Sequence, residues 1–130
     1  MHVCILDHAK RFTQTHEWIV DEGNNVAKVG ISHYAQDQLG EIVYCDLPSC
    51  GTRFTKGQTL CTLESVKAVG EVYCPMDSEV LEVNEDLGSK PNLVNESPED
   101  MGWLVKLKYT GDFGKISKVW LDADVHKESE

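Results

Sequence analysis

The sequence lacks the features that mark membrane-spanning proteins and several large classes of enzyme. No stretch of its 130 residues approaches the roughly 18 consecutive apolar residues of a membrane helix. The P-loop, the dinucleotide fingerprint GxGxxG and the nucleophile elbow GxSxG do not occur. We therefore expect a soluble protein with no membrane partner, and no candidate for a phosphate cradle or a serine nucleophile.

Metal-ligand and disulfide patterns are also missing. His16-Glu17 begins like a zincin helix, but Val20 stands where the second histidine would be. The five cysteines are Cys4, Cys45, Cys50, Cys61 and Cys74. They form no CxxC pair, and an odd number cannot be fully paired within the chain, which favours a reducing compartment. We interpret them as small buried hydrophobic residues and expect no metal site.

Basic residues are few. The chain has 12 Lys and Arg against 22 Asp and Glu, a formal net charge of −10. This balance argues against nucleic acid as the principal partner and favours a partner with a basic surface.

Short runs of alternating apolar and polar residues dominate from Trp18 to Tyr109 and favour antiparallel strands. The predicted strands are Glu17–Val20, Val26–Gly30, Glu41–Asp46, Thr59–Glu64, Val69–Tyr73, Glu79–Val83 and Leu104–Lys108. The turn from Asp21 to Asn25 is rich in residues that accept left-handed backbone angles. The predicted fold class is mainly β.

Two helices are predicted. Ser32 caps a short one that runs to Leu39, and Gly40 stands where helices end. The second spans about Lys115 to Val125, because apolar residues recur there at spacings of three and four. Its apolar positions are Phe113, Ile116, Trp120 and Ala123. We expect Trp103 and Trp120 to be largely buried.

One segment, Leu63 to Pro75, could carry chemistry. Lys67 lies between two strand-like runs, within a hairpin turn. Ser65 and Ala68 beside it are small enough to leave its amine sterically open. On geometry alone, such a lysine is usually no more than a solvated turn residue.

The sequence of this turn, Glu64-Ser65-Val66-Lys67-Ala68, resembles the lipoylation motif of the glycine cleavage system H protein family. Further matching segments are Thr15-His16-Glu17-Trp18, Tyr44-Cys45-Asp46-Leu47-Pro48 and Gly102-Trp103-Leu104. The resemblance covers the chain from about Phe12 to Tyr109. It implies a barrel-sandwich hybrid, a flattened β-barrel or sandwich of two antiparallel sheets with a short helix in the N-terminal third and a C-terminal helix. It also implies a single lipoyl-carrier domain over residues 1–130, with a core of about 12–126.

The resemblance implies a carrier that is not itself an enzyme, with lipoic acid in amide linkage on Lys67. In that family the arm accepts an aminomethyl group from glycine at the pyridoxal-phosphate-dependent glycine decarboxylase, the P-protein. The arm then presents this group to the tetrahydrofolate-dependent aminomethyltransferase, the T-protein. Dihydrolipoyl dehydrogenase, the L-protein, reoxidises the arm, and a lipoate-attaching enzyme is a fourth implied partner. The implied compartment is the mitochondrial matrix or a related organelle in a eukaryote and the cytoplasm in a bacterium.

The resemblance also suggests roles for residues around the lysine. Glu64, Ser65, Val66 and Ala68 complete the attachment motif. Glu17 matches a carboxylate near a surface cleft that shields the loaded arm, with a solvated acid at a strand edge as the alternative. Three positions depart from the family pattern: Gly70, Ser78 and Gln38. We expect Gly70 to loosen the start of the return strand.

Other carriers fit less well. Lipoyl domains of 2-oxo acid dehydrogenases typically show Asp-Lys-Ala and sit in longer chains with linkers, whereas Val66 precedes the lysine here. A biotin carrier would usually show Met-Lys-Met. A lipoyl domain or lipoate-relay protein serving 2-oxo acid dehydrogenases, or an unmodified interaction module, remains the alternative.

Overall fold

The computed structural model describes residues 10–111 of the chain. Within this range the strands are Arg11–Phe12 (β1), Glu17–Gly23 (β2), Val26–Ile31 (β3), Ile42–Asp46 (β4), Arg53–Phe54 (β5), Thr59–Ser65 (β6), Val69–Tyr73 (β7), Ser78–Val83 (β8) and Val105–Tyr109 (β9). The helices are His33–Leu39 (α1), Asp86–Ser89 (α2) and Leu93–Glu96 (α3). The predicted helix at Lys115–Val125 and the residue Trp120 lie outside the described range.

The strands form two antiparallel sheets. The larger has six strands in the order β1-β2-β3-β9-β8-β5, and the smaller has three in the order β4-β6-β7. The two sheets are separate and do not close into a barrel. The predicted fold class, mainly β with two antiparallel sheets and a short helix in the N-terminal third, is confirmed.

The main core joins residues of both sheets. Leu63 from the smaller sheet and Ile19, Val29 and Leu107 from the larger are fully buried in one hydrophobic cluster. Burying such side chains contributes about 1.5–3 kcal/mol each, so this cluster is the main force that holds the sheets together.

A second, smaller cluster packs around Trp18, with Phe12 and Val20. The Trp18 indole N–H donates to the Pro98 carbonyl at 2.8 Å. A Cβ at position 30 would lie 2.5 Å from the Trp18 ring, so Gly30 is required for this packing. Trp103 packs against this cluster and keeps only a minor part of its surface exposed, in line with the prediction that it is largely buried.

The predicted turn and cap are both present. Gly23, Asn24 and Asn25 all have positive φ in the turn between β2 and β3. The Ser32 hydroxyl accepts the Ala35 N–H at 3.0 Å at the start of α1, and Gly40 ends that helix with φ +82°. Glycine and asparagine tolerate these backbone angles best, which explains why the elements stop there.

The cysteines do not share one environment. Cys61 and Cys74 are buried and Cys45 is partly buried, in line with the interpretation as small hydrophobic residues. Cys50 is exposed in the loop between β4 and β5, so that interpretation is wrong for this residue. Among residues 10–111, no helix is long and apolar enough to cross a membrane.

Candidate functional site

The lysine singled out by the sequence lies at the tip of the β6–β7 hairpin. Ser65 shapes the turn: its N–H donates to the Ala68 carbonyl at 2.8 Å, and its hydroxyl accepts the N–H groups of Lys67 at 3.2 Å and Ala68 at 2.9 Å. Glu64 pairs with Val69 at the first register position below the turn. The backbone of the tip is therefore held in one conformation, because its polar groups are satisfied locally.

The Lys67 side chain is exposed. Within the part of the chain that the structure describes, its amine takes part in no ion pair and no side-chain hydrogen bond. The lysine stem passes over Gly40, where a Cβ would lie 3.3 Å from Lys67 Cε. The Val66 N–H donates to the Glu41 carbonyl at 3.0 Å, which ties the hairpin tip to the segment after α1. The amine is consequently open to an approaching enzyme.

A cleft of about 360 Å³ lies beside the hairpin, between α1 and the edge strand β7. Its walls include Thr15, His16, Glu17, Tyr34, Gln38 and Gly70. The rings of His16 and Tyr34 face each other with centroids 4.7 Å apart. Gln38, one of the departures from the family pattern, therefore lies on a cleft wall.

Gly70 brings α1 close to β7. A Cβ at this position would lie 2.7 Å from Leu39 Cδ2, so only glycine allows this approach without rearrangement. Strand β7 begins at Val69 and pairs through Gly70 with Leu63. The strand is regularly paired at Gly70 and Leu39 packs against it there, while the loosening of the strand by this glycine stays a prediction.

Glu17 is 2 % exposed and lies on the cleft wall, so the interpretation as a solvated acid is wrong. One carboxylate oxygen accepts the hydroxyls of Thr13 and Thr15. The other accepts the Tyr73 N–H at 3.1 Å. Glu17 thereby links the loop before β2 to the edge of the smaller sheet.

The family model described as glycine cleavage H-protein matches residues 10–128. The chain belongs to the glycine cleavage H-protein family. It is 44% identical to the glycine cleavage system H protein of Thermotoga maritima, over 92% of this chain and 94% of that protein. It is 47% identical to the H protein of Bartonella tribocorum, over 89% and 93% of the two chains.

A crystal structure of an H protein from Mycobacterium marinum has the same fold. It matches with a TM-score of 0.80 and 26% identity, covering 94% of this chain and 96% of the other. Members of the H-protein family are carrier subunits of a multienzyme system, so this chain is a carrier and not a catalyst.

The structure gives Asn95 a role that the sequence did not reveal. Its Oδ1 accepts the Ile42 N–H at 2.8 Å, and its Nδ2 donates to Gln36 Oε1 at 2.9 Å and the Gly40 carbonyl at 2.8 Å. Asn95 thus fixes the segment over which the Lys67 stem lies. Its partners are more than fifty residues away in sequence, so no local pattern could indicate this role.

The remaining features offer no further chemistry for this site. Among residues 10–111, no three His, Cys, Asp or Glu side chains are grouped as a metal site would require. A larger cleft of about 740 Å³, lined by Asn25, Arg53 and Tyr109 among others, shares no residue with the hairpin or its cleft. The Ser78 departure is accommodated by a hydrogen bond from its buried hydroxyl to the Met76 carbonyl at 2.9 Å.

Proposed function

We propose that this chain is the lipoyl-carrying shuttle of a glycine cleavage system, with lipoic acid in amide linkage on Lys67. The observation that supports it most is the exposed Lys67 amine at the tip of an ordered hairpin, which pairs with no side chain among the described residues 10–111. The residues fit the group: Ser65 and Ala68 are small, and Gly40 leaves room for the lysine stem. When bound, the lipoyl group supplies a dithiolane that carries the aminomethyl unit of glycine and is afterwards reoxidised.

The hairpin acts as a rigid tether with a free end. Its turn is fixed by the four bonds that Ser65 makes with Lys67 and Ala68 and by the bond from Val66 to Glu41. Among residues 10–111, no ion pair or side-chain hydrogen bond holds the Lys67 amine. A group on this lysine would be presented to the P-protein, the T-protein and dihydrolipoyl dehydrogenase in turn. Tethering replaces free diffusion by a high effective concentration in each docked complex.

The cleft between α1 and β7 is proposed to receive the arm between visits to these enzymes. It lies beside the strands of the hairpin that carries Lys67, and its walls combine rings, such as those of His16 and Tyr34, with the carboxylate of Glu17. Water excluded from such a cleft cannot hydrolyse an unstable adduct. The negative charge of Glu17 favours a cationic amine at this wall, while its hydrogen bonds keep the wall in place.

A protein with this role works in the compartment that holds these three enzymes, which is the cytoplasm in a bacterium and the mitochondrial matrix or a related organelle in a eukaryote. The acidic chain, with its net charge of −10, is suited to enzymes that present basic docking surfaces.

Intact mass spectrometry tests the attachment site. After incubation with a lipoate ligase, lipoate and ATP, the wild-type protein should gain the mass of a single lipoyl group. Lys67→Arg should gain none, because a guanidinium keeps the charge but offers no amine that the ligase acylates. Lys56→Arg, at another exposed turn lysine, is the matched control and should be modified like the wild type. Modification that persists in Lys67→Arg would show that the site is elsewhere.

A reconstituted assay tests the shuttle role. With P-protein, T-protein, dihydrolipoyl dehydrogenase, tetrahydrofolate and NAD, the lipoylated wild type should support NADH formation from glycine. The Lys67→Arg variant should support none. A lipoylated wild-type protein that fails to support the reaction, while a known H protein succeeds, would favour the alternative of a lipoate-relay protein.

A further inference from the structure

Next to Lys67, the outer face of the smaller sheet exposes apolar side chains. Strand β4 has a bulge: Ile42 lies opposite Ser65 and Tyr44 opposite Glu64, which leaves Val43 without a register partner. A bulge rotates the strand locally, so that two successive residues are accessible. Val43 is 47% exposed and Tyr44 is 54% exposed.

The exposed apolar residues continue across the sheet to the hairpin. Tyr44, Glu64 and Val69 are register partners in adjacent strands and therefore lie side by side on one face. Val69 is 64% exposed, and Val66 at the tip is 67% exposed. We name Val43, Tyr44, Val66 and Val69 the hairpin patch. In the sequence, Val66 directly precedes Lys67 and Val69 follows it by two positions.

The strands that carry the hairpin patch have charged residues of one sign only. Strands β4, β6 and β7 carry three acidic residues and no Lys, Arg or His. Glu64 lies between Tyr44 and Val69, while Asp46 and Glu71 are both partners of Thr62 in the next row. An apolar centre with an acidic border complements a protein surface that has an apolar pocket and a basic rim.

We infer that the hairpin patch is the docking surface for the enzyme that attaches the lipoyl group, an inference that rests on the proposed function. Acylation takes place at Lys67 Nζ itself, whose stem lies against Gly40 close to the hairpin. The attaching enzyme must bring its reaction centre to this atom and therefore cover the surface around it. Enzymes that act on the attached dithiolane work at the far end of a long chain of single bonds and need not cover the patch.

The reaction at that docked surface is an acyl transfer. The neutral Lys67 amine attacks the carbonyl carbon of lipoyl adenylate, a mixed anhydride made from lipoate and ATP. A C–N amide bond forms, the C–O bond to the phosphate breaks, AMP leaves with the electron pair, and the amine releases its proton. No redox change occurs, so the dithiolane is unaltered.

Acylation kinetics on the unmodified protein test the inference. Initial rates with a purified lipoate ligase, lipoate and ATP are measured by intact mass at several carrier concentrations. In the double variant Tyr44→Ser/Val69→Ser, kcat/KM should fall about tenfold or more, through KM, because each apolar side chain lost from a buried contact weakens binding by about that factor. Leu81→Ser is the matched control: Leu81 is 50% exposed but lies on β8 in the larger sheet, and its kcat/KM should be unchanged.

A second measurement separates the attaching enzyme from the other partners. The variants are fully lipoylated by prolonged incubation, and their reduction by dihydrolipoyl dehydrogenase with NADH is followed. This rate should stay within about twofold of the wild type for both variants, since that enzyme acts at the far end of the arm. Equal losses in acylation and reduction would overturn the assignment to the attaching enzyme, as would acylation of the double variant at the wild-type rate.

The outcomes also distinguish this inference from the proposed function. If wild-type Lys67 is not acylated at all, the proposed function fails, whereas a wild-type rate in the double variant contradicts the docking surface alone. Should the double variant unfold, Val43→Thr provides the same test, because it keeps the side-chain shape and replaces one methyl group by a hydroxyl. Its kcat/KM should fall about threefold, and an unchanged value would contradict the inference.

Discussion

At the scale of single residues, Glu17 has two roles: it lines the cleft, and its hydrogen bonds hold two segments of the fold together. Its carboxylate is buried and accepts the hydroxyls of Thr13 and Thr15 and the N–H of Tyr73. If the Glu17 side chain only contacted the arm, replacing it with a smaller side chain would not affect the stability of the fold. Here removal leaves three donors without their acceptor, one of them on the backbone of an edge strand.

We therefore predict that Glu17→Ala lowers the free energy of unfolding by about 2–3 kcal/mol, since three bonds to a buried carboxylate acceptor are lost. Glu17→Gln should cost about 1 kcal/mol, because an amide oxygen can still accept the Tyr73 N–H. Urea denaturation followed by circular dichroism measures both. A Glu17→Ala protein as stable as the wild type would contradict the supporting role.

The sequence revealed residues whose role is local and missed those whose role depends on distant partners. Lys67 was found because its turn, its small neighbours and its motif are contiguous in sequence. The burial of Glu17 could not be found, because Tyr73 is 56 positions away and the local pattern shows only an acid at the start of a strand. Gly70 is similar: the close approach of Leu39 arises only when α1 packs against β7.

At the scale of elements, the long alternating runs were predictable and the short elements were not. All seven predicted strands are present with bounds within a few residues, because alternation and turn residues define them. Strands β1 and β5 have two residues each, and helices α2 and α3 have four, too few for any periodicity to show. The division into two sheets also depends on long-range pairing, such as β3 with β9.

Helix α3 illustrates why a short element matters. It presents Asn95, which bonds the Ile42 N–H and the Gly40 carbonyl below the Lys67 stem. Asn95→Ala should lower the free energy of unfolding by about 2–3 kcal/mol, because a backbone donor and a backbone acceptor lose their partner. Asn92→Ala is the control on the same segment: its amide bonds only Glu96 at an exposed position, and the loss should stay near 0.5 kcal/mol. Thermal or urea unfolding compares the two, and equal losses would argue against the special role of Asn95.

At the scale of the whole molecule, the core contains thiols whose ionisation is coupled to folding. Burial raises the pKa of Cys45 from about 9.0 to about 11. Burial, followed by the neighbouring Cys45 and Cys74, raises the pKa of Cys61, and burial also raises the pKa of Cys74. These thiols keep their protons in the folded state at a pH where the unfolded chain releases them.

The folded state therefore binds more protons than the unfolded state above about pH 9, and its stability must fall as the pH rises from there towards the folded pKa values. Below pH 9 both states are protonated and this contribution to stability is fully present. We predict that the urea midpoint, measured with a reductant present, decreases between pH 8.5 and about 10.5. Cys61→Ala should be less stable at pH 7.5, because a buried side chain is shortened, but should show a smaller decrease over the alkaline range. Cys50→Ala, at an exposed position, should follow the wild-type curve. If the wild type and Cys61→Ala lose stability in parallel above pH 9, the core thiols do not govern the alkaline limit of this fold.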